Sequence, residues 1–191
     1  MQNSTALNVP NILTYARIAA VPALVASFFF YGDTARWISL GIFTVAGITD
    51  YLDGYLARTM AQSSALGRML DPIADKLLVA AALLMLTGFG TISGYSQWAA
   101  VIILAREILV SGLREFLAEL QVSVPVSRLA KWKTVLQMVA IGFLLAGDPG
   151  DRLIPGALDF GIVLLWAAAL ITIYTGYDYF KAGIGKLVNE G

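Results

Sequence analysis

The sequence predicts an all-α, polytopic membrane protein with six transmembrane helices and both termini on the cytoplasmic side. Of the 191 residues, 58% are hydrophobic and only 14% are charged, which is outside the range of soluble domains. The apolar residues also fall into six runs, each near the ~20 residues that a bilayer-spanning helix needs. We therefore treat residues 1–191 as a single transmembrane domain.

The first predicted span covers residues 12–31. The polar segment before it ends in Pro10 and Asn11, which we expect to open the helix, and it has neither the basic region nor the cleavage site of a signal peptide. The segment "YGDTAR" has turn chemistry. It separates the first span from the second, residues 36–59.

The remaining spans are separated by segments of the same kind. The third and fourth, residues 66–88 and 96–117, lie on either side of "TGFGTISGYS". "QVSVPVS" precedes the fifth, residues 129–146, and "GDPGDRLIPG" leads to the sixth, residues 157–180. We find no internal repeat and no second domain.

The distribution of cations predicts the orientation. With both termini in the cytoplasm, only Arg36 and Arg152 of the 13 Lys and Arg residues fall on the outer side. Cytoplasmic loops are enriched in Lys and Arg, so this bias favours an N-in, C-in topology. The inner residues are Arg17, Arg58, Arg68, Lys76, Arg106, Arg114, Arg128, Lys131, Lys133, Lys181 and Lys186.

Four aspartates lie inside two of the predicted spans. Asp50 and Asp53 are three residues apart on the second helix, and Asp71 and Asp75 are four apart on the third, so each pair shares a helix face. At ~1.5 Å per residue, Asp50 lies ~21 Å from the outer end of its helix and Asp75 ~20 Å from the outer end of the next. The four carboxylates are therefore expected to converge in the inner half of the bilayer.

Such a group of acids predicts a metal site. A lone membrane aspartate is more often a residue near the interface or one paired with an arginine, but Arg58 and Arg68 cannot neutralise all four. The chain has no His and no Cys, and carboxylate oxygens are the ligands that Mg²⁺ or Mn²⁺ prefers. Two divalent cations bridged by shared carboxylates would form a clamp for phosphoryl transfer.

Small and basic residues complete the pattern, which reads D-x-x-D-G-x-x-A-R, eight further residues, then G-x-x-x-D-x-x-x-D. Gly54 and Gly67 allow backbone or ligand to approach closely beside the acids, and Arg58 is placed to bind a diphosphate. The alternative is that the small residues only pack helices together. That alternative explains the glycines but not the acids.

This window resembles, in full, the signature of the CDP-alcohol phosphotransferase family. The resemblance implies a six-helix membrane domain, usually dimeric, with a cytoplasm-facing site that holds two divalent cations. It also implies that the acids are metal ligands, that Asp75 is the general base, and that Gly54, Arg58 and Gly67 contact the CDP group. The matching positions are Asp50, Asp53, Gly54, Ala57, Arg58, Gly67, Asp71 and Asp75.

Three further segments are similar to the bacterial phosphatidylglycerophosphate synthases of this family: "NVPNILTYARI", "AREILVSGLREFLAEL" and "KWKTVLQM". The resemblance implies transfer of a phosphatidyl group from CDP-diacylglycerol to sn-glycerol 3-phosphate with release of CMP. It also implies a homodimer in the bacterial inner membrane. The formal net charge of zero gives no reason to expect a nucleic-acid partner.

An acceptor that carries a phosphate needs a cationic pocket. The candidates are Arg106, Arg114, Lys131 and Lys133. Lys131 and Lys133 lie ~200° apart on a helix, so we expect only one of them to face the site. The alternative for the two arginines is a structural ion pair with Glu107, Glu115 or Glu119.

Two rival functions stay open at this point. Intramembrane acids also line ion pathways, so a cation transporter is an alternative, although no inverted repeat is visible. Within the family, the acceptor alternatives are serine, inositol phosphate and phosphatidylglycerol.

Overall fold

The computed structural model describes residues 9–60, 65–121 and 128–190, and within these ranges it contains helices and no β-strand. The predicted all-α class is thus confirmed. In chain order the helices are α1 (Val9–Ser27), α2 (Asp33–Met60), α3 (Ala65–Gly88), α4 (Gln97–Glu119), α5 (Arg128–Leu153) and α6 (Ala157–Glu190).

The bundle has two distinct ends. Residues 28–32, 89–96 and 154–156 connect helices at one end, which we call the loop end; α1 begins and α6 ends at the opposite, terminal end. The Phe28 and Phe89 rings lie 5.4 Å apart, and Arg152 pairs with Asp33 at 2.5 Å. These contacts bring the three connections together, so the helices alternate in direction.

The α1–α2 connection lies earlier in the chain than predicted, at residues 28–32 rather than 32–35. Gly32 has a φ of +86°, a conformation that glycine adopts readily, and α2 begins at the next residue, Asp33. An acidic side chain in the first turn is favourable beside the positive end of the helix dipole. At the other end, α1 begins at Val9, so Asn11 lies within the helix rather than capping it.

The predicted connection between the fifth and sixth helices, residues 147–156, is wrong as far as Leu153, where α5 ends. Only Gly147 leaves the helical conformation, with φ 57° and ψ −149°, and helix resumes to Leu153. A Cβ at Gly147 would lie 3.1 Å from Nε of Arg36, so the kink also admits that guanidinium. Pro149 lies in the first turn of the helical segment after Gly147. The first N–H groups of a helix have no partner within it, so the N–H that proline lacks costs no hydrogen bond.

Helix packing separates an apolar from a polar layer. α1 packs on α2 and α3, α2 on α5, and α6 on both α4 and α5. Toward the loop end the interior is apolar, and its buried residues include Leu24, Phe43, Leu83, Leu86, Ile103, Ile141, Leu144 and Leu165. Most of the buried polar residues lie toward the terminal end: Thr14, Arg17, Lys133, Gln137, Thr172 and Thr175.

By length, hydropathy and charge content, one of the described helices is apolar enough on its own to cross a membrane. This is α6, over Ala157–Gly185, while α1 contributes a shorter apolar stretch, Ile12–Ser27. The charged residues within the other helices lower their mean hydropathy. Large apolar side chains nevertheless lie more than half exposed on the outside of the bundle, among them Val45, Leu84, Val101, Ile108, Val163 and Leu170.

Candidate active site

Helix α1 contacts two of the predicted metal ligands. Nη1 of Arg17 lies 2.7 Å from Oδ1 of Asp50 on α2, and the Thr14 hydroxyl donates a hydrogen bond to Asp71 on α3. Thr14 and Arg17 are three residues apart, so they share a face of α1. One face of α1 therefore binds an acid from each of the two helices that carry the aspartate pattern.

Asp75 joins the same group. Asp50 lies near enough to both Asp71 and Asp75 for their charges to interact, and Asp50 and Asp75 line one cavity of about 540 Å³ between α2, α3 and α5. Asp50 lies ~15 Å from the end of α2 and Asp75 ~15 Å from the start of α3. The structure thus brings these three acids together, with Asp50 and Asp75 at one depth and Asp71 one helical turn nearer the terminal end.

The acids fit a hard divalent cation by their donor chemistry. Asp50, Asp71 and Asp75 offer only oxygen atoms, and Arg17 supplies one positive charge to the three carboxylates, so the surplus negative charge favours a bound cation. Among the side chains that the structure describes, no three carboxylates are placed to hold one ion. Asp53 lies on α2 one turn from Asp50, and its side chain is outside the described part.

The predicted CDP-binding residues are described only in part. Gly67 lies in the first turn of α3 and is buried. Gly54 and Arg58 lie on the last turns of α2, and the surroundings of both are outside the described part of the chain. Their contact with a nucleotide therefore stays a prediction.

Two of the residues predicted to bind the acceptor phosphate, Arg106 and Lys133, both contact Glu107. Lys133 of α5 donates a hydrogen bond to Oε1 of Glu107 on α4, and Nη1 of Arg106 lies 3.7 Å from the same oxygen. Nη2 of Arg106 donates to the Thr175 hydroxyl on α6 at 3.3 Å. We call Arg106, Glu107, Lys133 and Thr175 the cationic cluster. Lys133 and Asp75 lie near enough for their charges to interact, so the cluster borders the acids.

The other two acceptor candidates lie elsewhere. Arg114 is exposed, and its guanidinium carbon lies 5.7 Å from the centre of the Tyr179 ring on α6. Its charge is within range of Arg106. The side chain of Lys131 is outside the described residues, while the Lys133 side chain is only 5% exposed and faces the bundle interior.

An apolar groove runs from the acids toward the loop end. The cavity that contains Asp50 and Asp75 is otherwise lined mainly by apolar residues of α2 and α5, among them Val139 and Gly142. These two residues also line a second cavity of about 290 Å³, which extends to Trp37. We call these joined cavities the α2–α5 groove. It spans ~20 Å from Asp50 to Trp37 and combines an acidic end with an apolar length.

The sequence profile of the CDP-alcohol phosphatidyltransferase family matches residues 7–174. That range includes α1, all four aspartates and three members of the cationic cluster, Arg106, Glu107 and Lys133. The chain belongs to the CDP-alcohol phosphatidyltransferase family.

Several named proteins are similar to the chain over most of their length. A protein of Rickettsia bellii named CDP-diacylglycerol–glycerol-3-phosphate 3-phosphatidyltransferase is 51% identical over 92% of this chain and 94% of its own length. A protein of the same name from Cereibacter sphaeroides is 38% identical over 96% and 98% of the two chains. An Arabidopsis thaliana protein, numbered 2 under that name, is 39% identical over 94% and 81%.

Sequence reasoning missed several side-chain contacts within this candidate site. Thr14 and Arg17 were not predicted to contact the aspartates, whereas they contact Asp71 and Asp50. Glu107 was considered as a partner of Arg106, whereas its shorter contact is with Lys133. These contacts could have been suspected from the sequence, because each involves a charged or polar residue on an otherwise apolar helix, and such residues usually have a partner.

Proposed function

We propose that this chain transfers the phosphatidyl group of CDP-diacylglycerol to sn-glycerol 3-phosphate, giving phosphatidylglycerophosphate and CMP. The relatives from Rickettsia bellii and Cereibacter sphaeroides carry names for that reaction. The observation that carries the proposal is the position of Asp50 and Asp75 at the acidic end of the apolar α2–α5 groove. A substrate with a charged diphosphate and apolar chains matches both parts of this cavity.

The proposal places the protein in the bacterial inner membrane, with six spans and both termini in the cytoplasm. It is supported by the apolar side chains exposed around the bundle, such as Leu84, Ile108 and Val163. Soluble proteins rarely expose so many large apolar residues, whereas lipid contact accommodates them. The cation bias then puts the terminal end, and with it the acids, on the cytoplasmic side.

The α2–α5 groove is proposed to receive the acyl chains of CDP-diacylglycerol. Its lining of Phe43, Ile48, Met138 and Val139 is apolar, and burial of each methylene contributes about 0.8 kcal/mol. The groove opens between two helices rather than within a closed core, so acyl chains can enter sideways from a bilayer. The headgroup would then lie beside Asp50.

The proposal includes two divalent cations, Mg²⁺ or Mn²⁺, held by Asp50, Asp53, Asp71 and Asp75. Its support is the all-oxygen donor set and the surplus of negative charge. The chemistry that such ions supply is neutralisation of the diphosphate and stabilisation of the charge that develops during displacement.

The acceptor phosphate is proposed to bind the cationic cluster. Arg106 and Lys133 provide two positive charges against the single carboxylate of Glu107, so the cluster has a net positive charge that attracts a phosphate. The Nε atom of Arg106 also has no hydrogen-bond partner among the described residues. Because Lys133 lies near Asp75, an acceptor bound there presents its hydroxyl to the acids.

In the proposed mechanism Asp75 accepts the proton of the acceptor hydroxyl. The hydroxyl oxygen forms a bond to the phosphorus that bears diacylglycerol, and the bond from that phosphorus to the CMP oxygen breaks. CMP leaves with the electron pair, and Arg58 stabilises its charge. Arg17 and Thr14 keep Asp50 and Asp71 in place during this exchange.

The family resemblance adds a homodimer to the proposal. The mass of the detergent-solubilised protein, measured by light scattering with the detergent contribution subtracted, tests it. Twice the chain mass is expected.

Release of CMP against a panel of acceptors tests the proposed reaction. Purified protein receives CDP-diacylglycerol, Mg²⁺ or Mn²⁺, and one of glycerol 3-phosphate, glycerol, serine, inositol phosphate or phosphatidylglycerol. We expect glycerol 3-phosphate to be strongly preferred over glycerol, since a lost charge-assisted contact costs about 10- to 150-fold. Equal rates with glycerol would contradict the phosphate pocket, and a preference for another acceptor would replace the proposed product.

A further inference from the structure

We propose that Glu107 is a positioning residue that holds Arg106 and Lys133 together as one binding site for the phosphate of the acceptor. This inference rests on the proposed function. It assigns Glu107 a role beyond neutralising a buried charge.

The geometry of the Glu107 carboxylate supports this role. A single oxygen, Oε1, accepts the hydrogen bond from Lys133 and lies 3.7 Å from Nη1 of Arg106. The two cations come from α5 and α4, and a hydrogen bond to Thr175 adds α6. Glu107 therefore fixes the separation of two cations that stand on different helices.

Charge explains why the two cations need this carboxylate. The side chains of Lys133 and Arg106 are only 5% and 16% exposed, and like charges at such burial repel each other strongly. Glu107 offsets one of the two charges and leaves the other to attract an anion. Without it, the guanidinium and the ammonium group would move apart or toward solvent, and a phosphate would lose one of its two contacts.

Close packing limits where Arg106 can move. Its Cγ would lie 3.1 Å from a Cβ placed at Gly176 of α6, so the arginine stem passes directly over this glycine. The absence of a side chain at Gly176 thus leaves room for the stem of Arg106. Its contacts with Glu107 and Thr175 orient the guanidinium. The phosphate site is assembled by α4, α5 and α6, next to the acids of α2 and α3.

Glu107→Gln tests the role because it keeps the shape and one oxygen acceptor but removes the charge. We expect the KM for glycerol 3-phosphate to rise at least about 10-fold, with the KM for CDP-diacylglycerol nearly unchanged. Glu119→Gln, at the exposed end of the same helix, is the matched control and should leave both values unchanged. A purely structural role for Glu107 would impair both substrates equally.

A double variant keeps the test decisive if the single variant folds poorly. Glu107→Gln combined with Lys133→Gln removes both partners, which costs less stability than leaving one buried charge unpaired. If Glu107 acts through Lys133, the combined rise in the KM for glycerol 3-phosphate is smaller than the product of the two single effects.

Four results would overturn the inference. An unchanged KM for glycerol 3-phosphate in Glu107→Gln, or fully multiplicative effects in the double variant, would exclude a positioning role while leaving the proposed reaction intact. A lower KM in Glu107→Gln would show that the carboxylate competes with the acceptor. Wild-type protein that releases no CMP with glycerol 3-phosphate would overturn the proposed function itself, and this inference with it.

Discussion

The Arg17 guanidinium is completely buried where it meets the Asp50 carboxylate, at 2.7 Å, and that carboxylate is 45% exposed. Arg17 therefore lies within the helix bundle, whereas Asp50 lies at the edge of the cavity. Because the arginine side chain cannot reach solvent, its position on α1 determines where Asp50 stands.

Removal of Arg17 should reduce activity far more than removal of an exposed arginine. In Arg17→Met, Asp50 loses its ion pair with a buried cation, and we expect CMP release to fall about 10-fold or more. The matched control is Arg152→Met, since Arg152 pairs with Asp33 on the surface with side chains 63% and 60% exposed, and such pairs contribute little. Similar rates for the two variants would remove Arg17 from the site.

Single cysteines test the orientation, because the chain has no native cysteine. We expect cysteines at Ser93 and Ile154, both exposed at the loop end, to react from outside intact cells with a membrane-impermeant maleimide. A cysteine at Gly185, which is exposed toward the terminal end with open space around it, should react only after permeabilisation. The reverse pattern would put the acids on the outer side.

The α2–α5 groove predicts an effect that depends on acyl-chain length. A Cβ at Gly142 would meet only Leu40 within 4 Å, at an ordinary contact distance of 3.8 Å. The leucine of Gly142→Leu is therefore expected to be accommodated without a clash and to occupy part of the groove. If two or three methylenes lose their contact, at about 0.8 kcal/mol each, the KM for long-chain CDP-diacylglycerol should rise about 10-fold or more.

Short-chain CDP-diacylglycerol serves as the comparison for Gly142→Leu, and its KM should change little. Gly112→Leu is the matched variant, because Gly112 is exposed on α4 with nothing near its missing Cβ. An equal rise for short and long chains would place the acyl chains elsewhere.

The structure separates the two predicted acceptor arginines. Arg106→Gln should raise the KM for glycerol 3-phosphate about 10- to 150-fold, since Arg106 lies beside Lys133 through Glu107. Arg114→Gln should have the smaller effect, because Arg114 is exposed and lies over Tyr179. Lys181→Met, on the exposed surface of α6, controls for the loss of a cation. A larger effect at Arg114 would move the phosphate site toward the end of α4.

Spacing along a helix was enough to predict part of this site. Asp50 and Asp75 lie at one depth as expected, because helical rise and the antiparallel direction of neighbouring helices determine depth. The contacts of Thr14 and Arg17 join residues far apart in sequence, and local spacing does not encode such pairs. The kink at Gly147 was missed for another reason: Gly, Pro and Asp in succession are typical of loops, whereas here one glycine bends a helix that continues.

The central claim is that the acidic group carries out phosphatidyl transfer, and turnover in Asp75→Asn tests it most directly. Asparagine keeps the shape but cannot accept the proton, and general-base assistance contributes 10²- to 10⁴-fold. At saturating Mg²⁺ or Mn²⁺, we expect kcat for CMP release in the presence of glycerol 3-phosphate to fall at least about 100-fold. CDP-diacylglycerol should still bind, and Asp159→Asn, at the exposed start of α6, should keep wild-type turnover. Asp75→Asn protein that kept more than about a tenth of the wild-type kcat would contradict the general-base role.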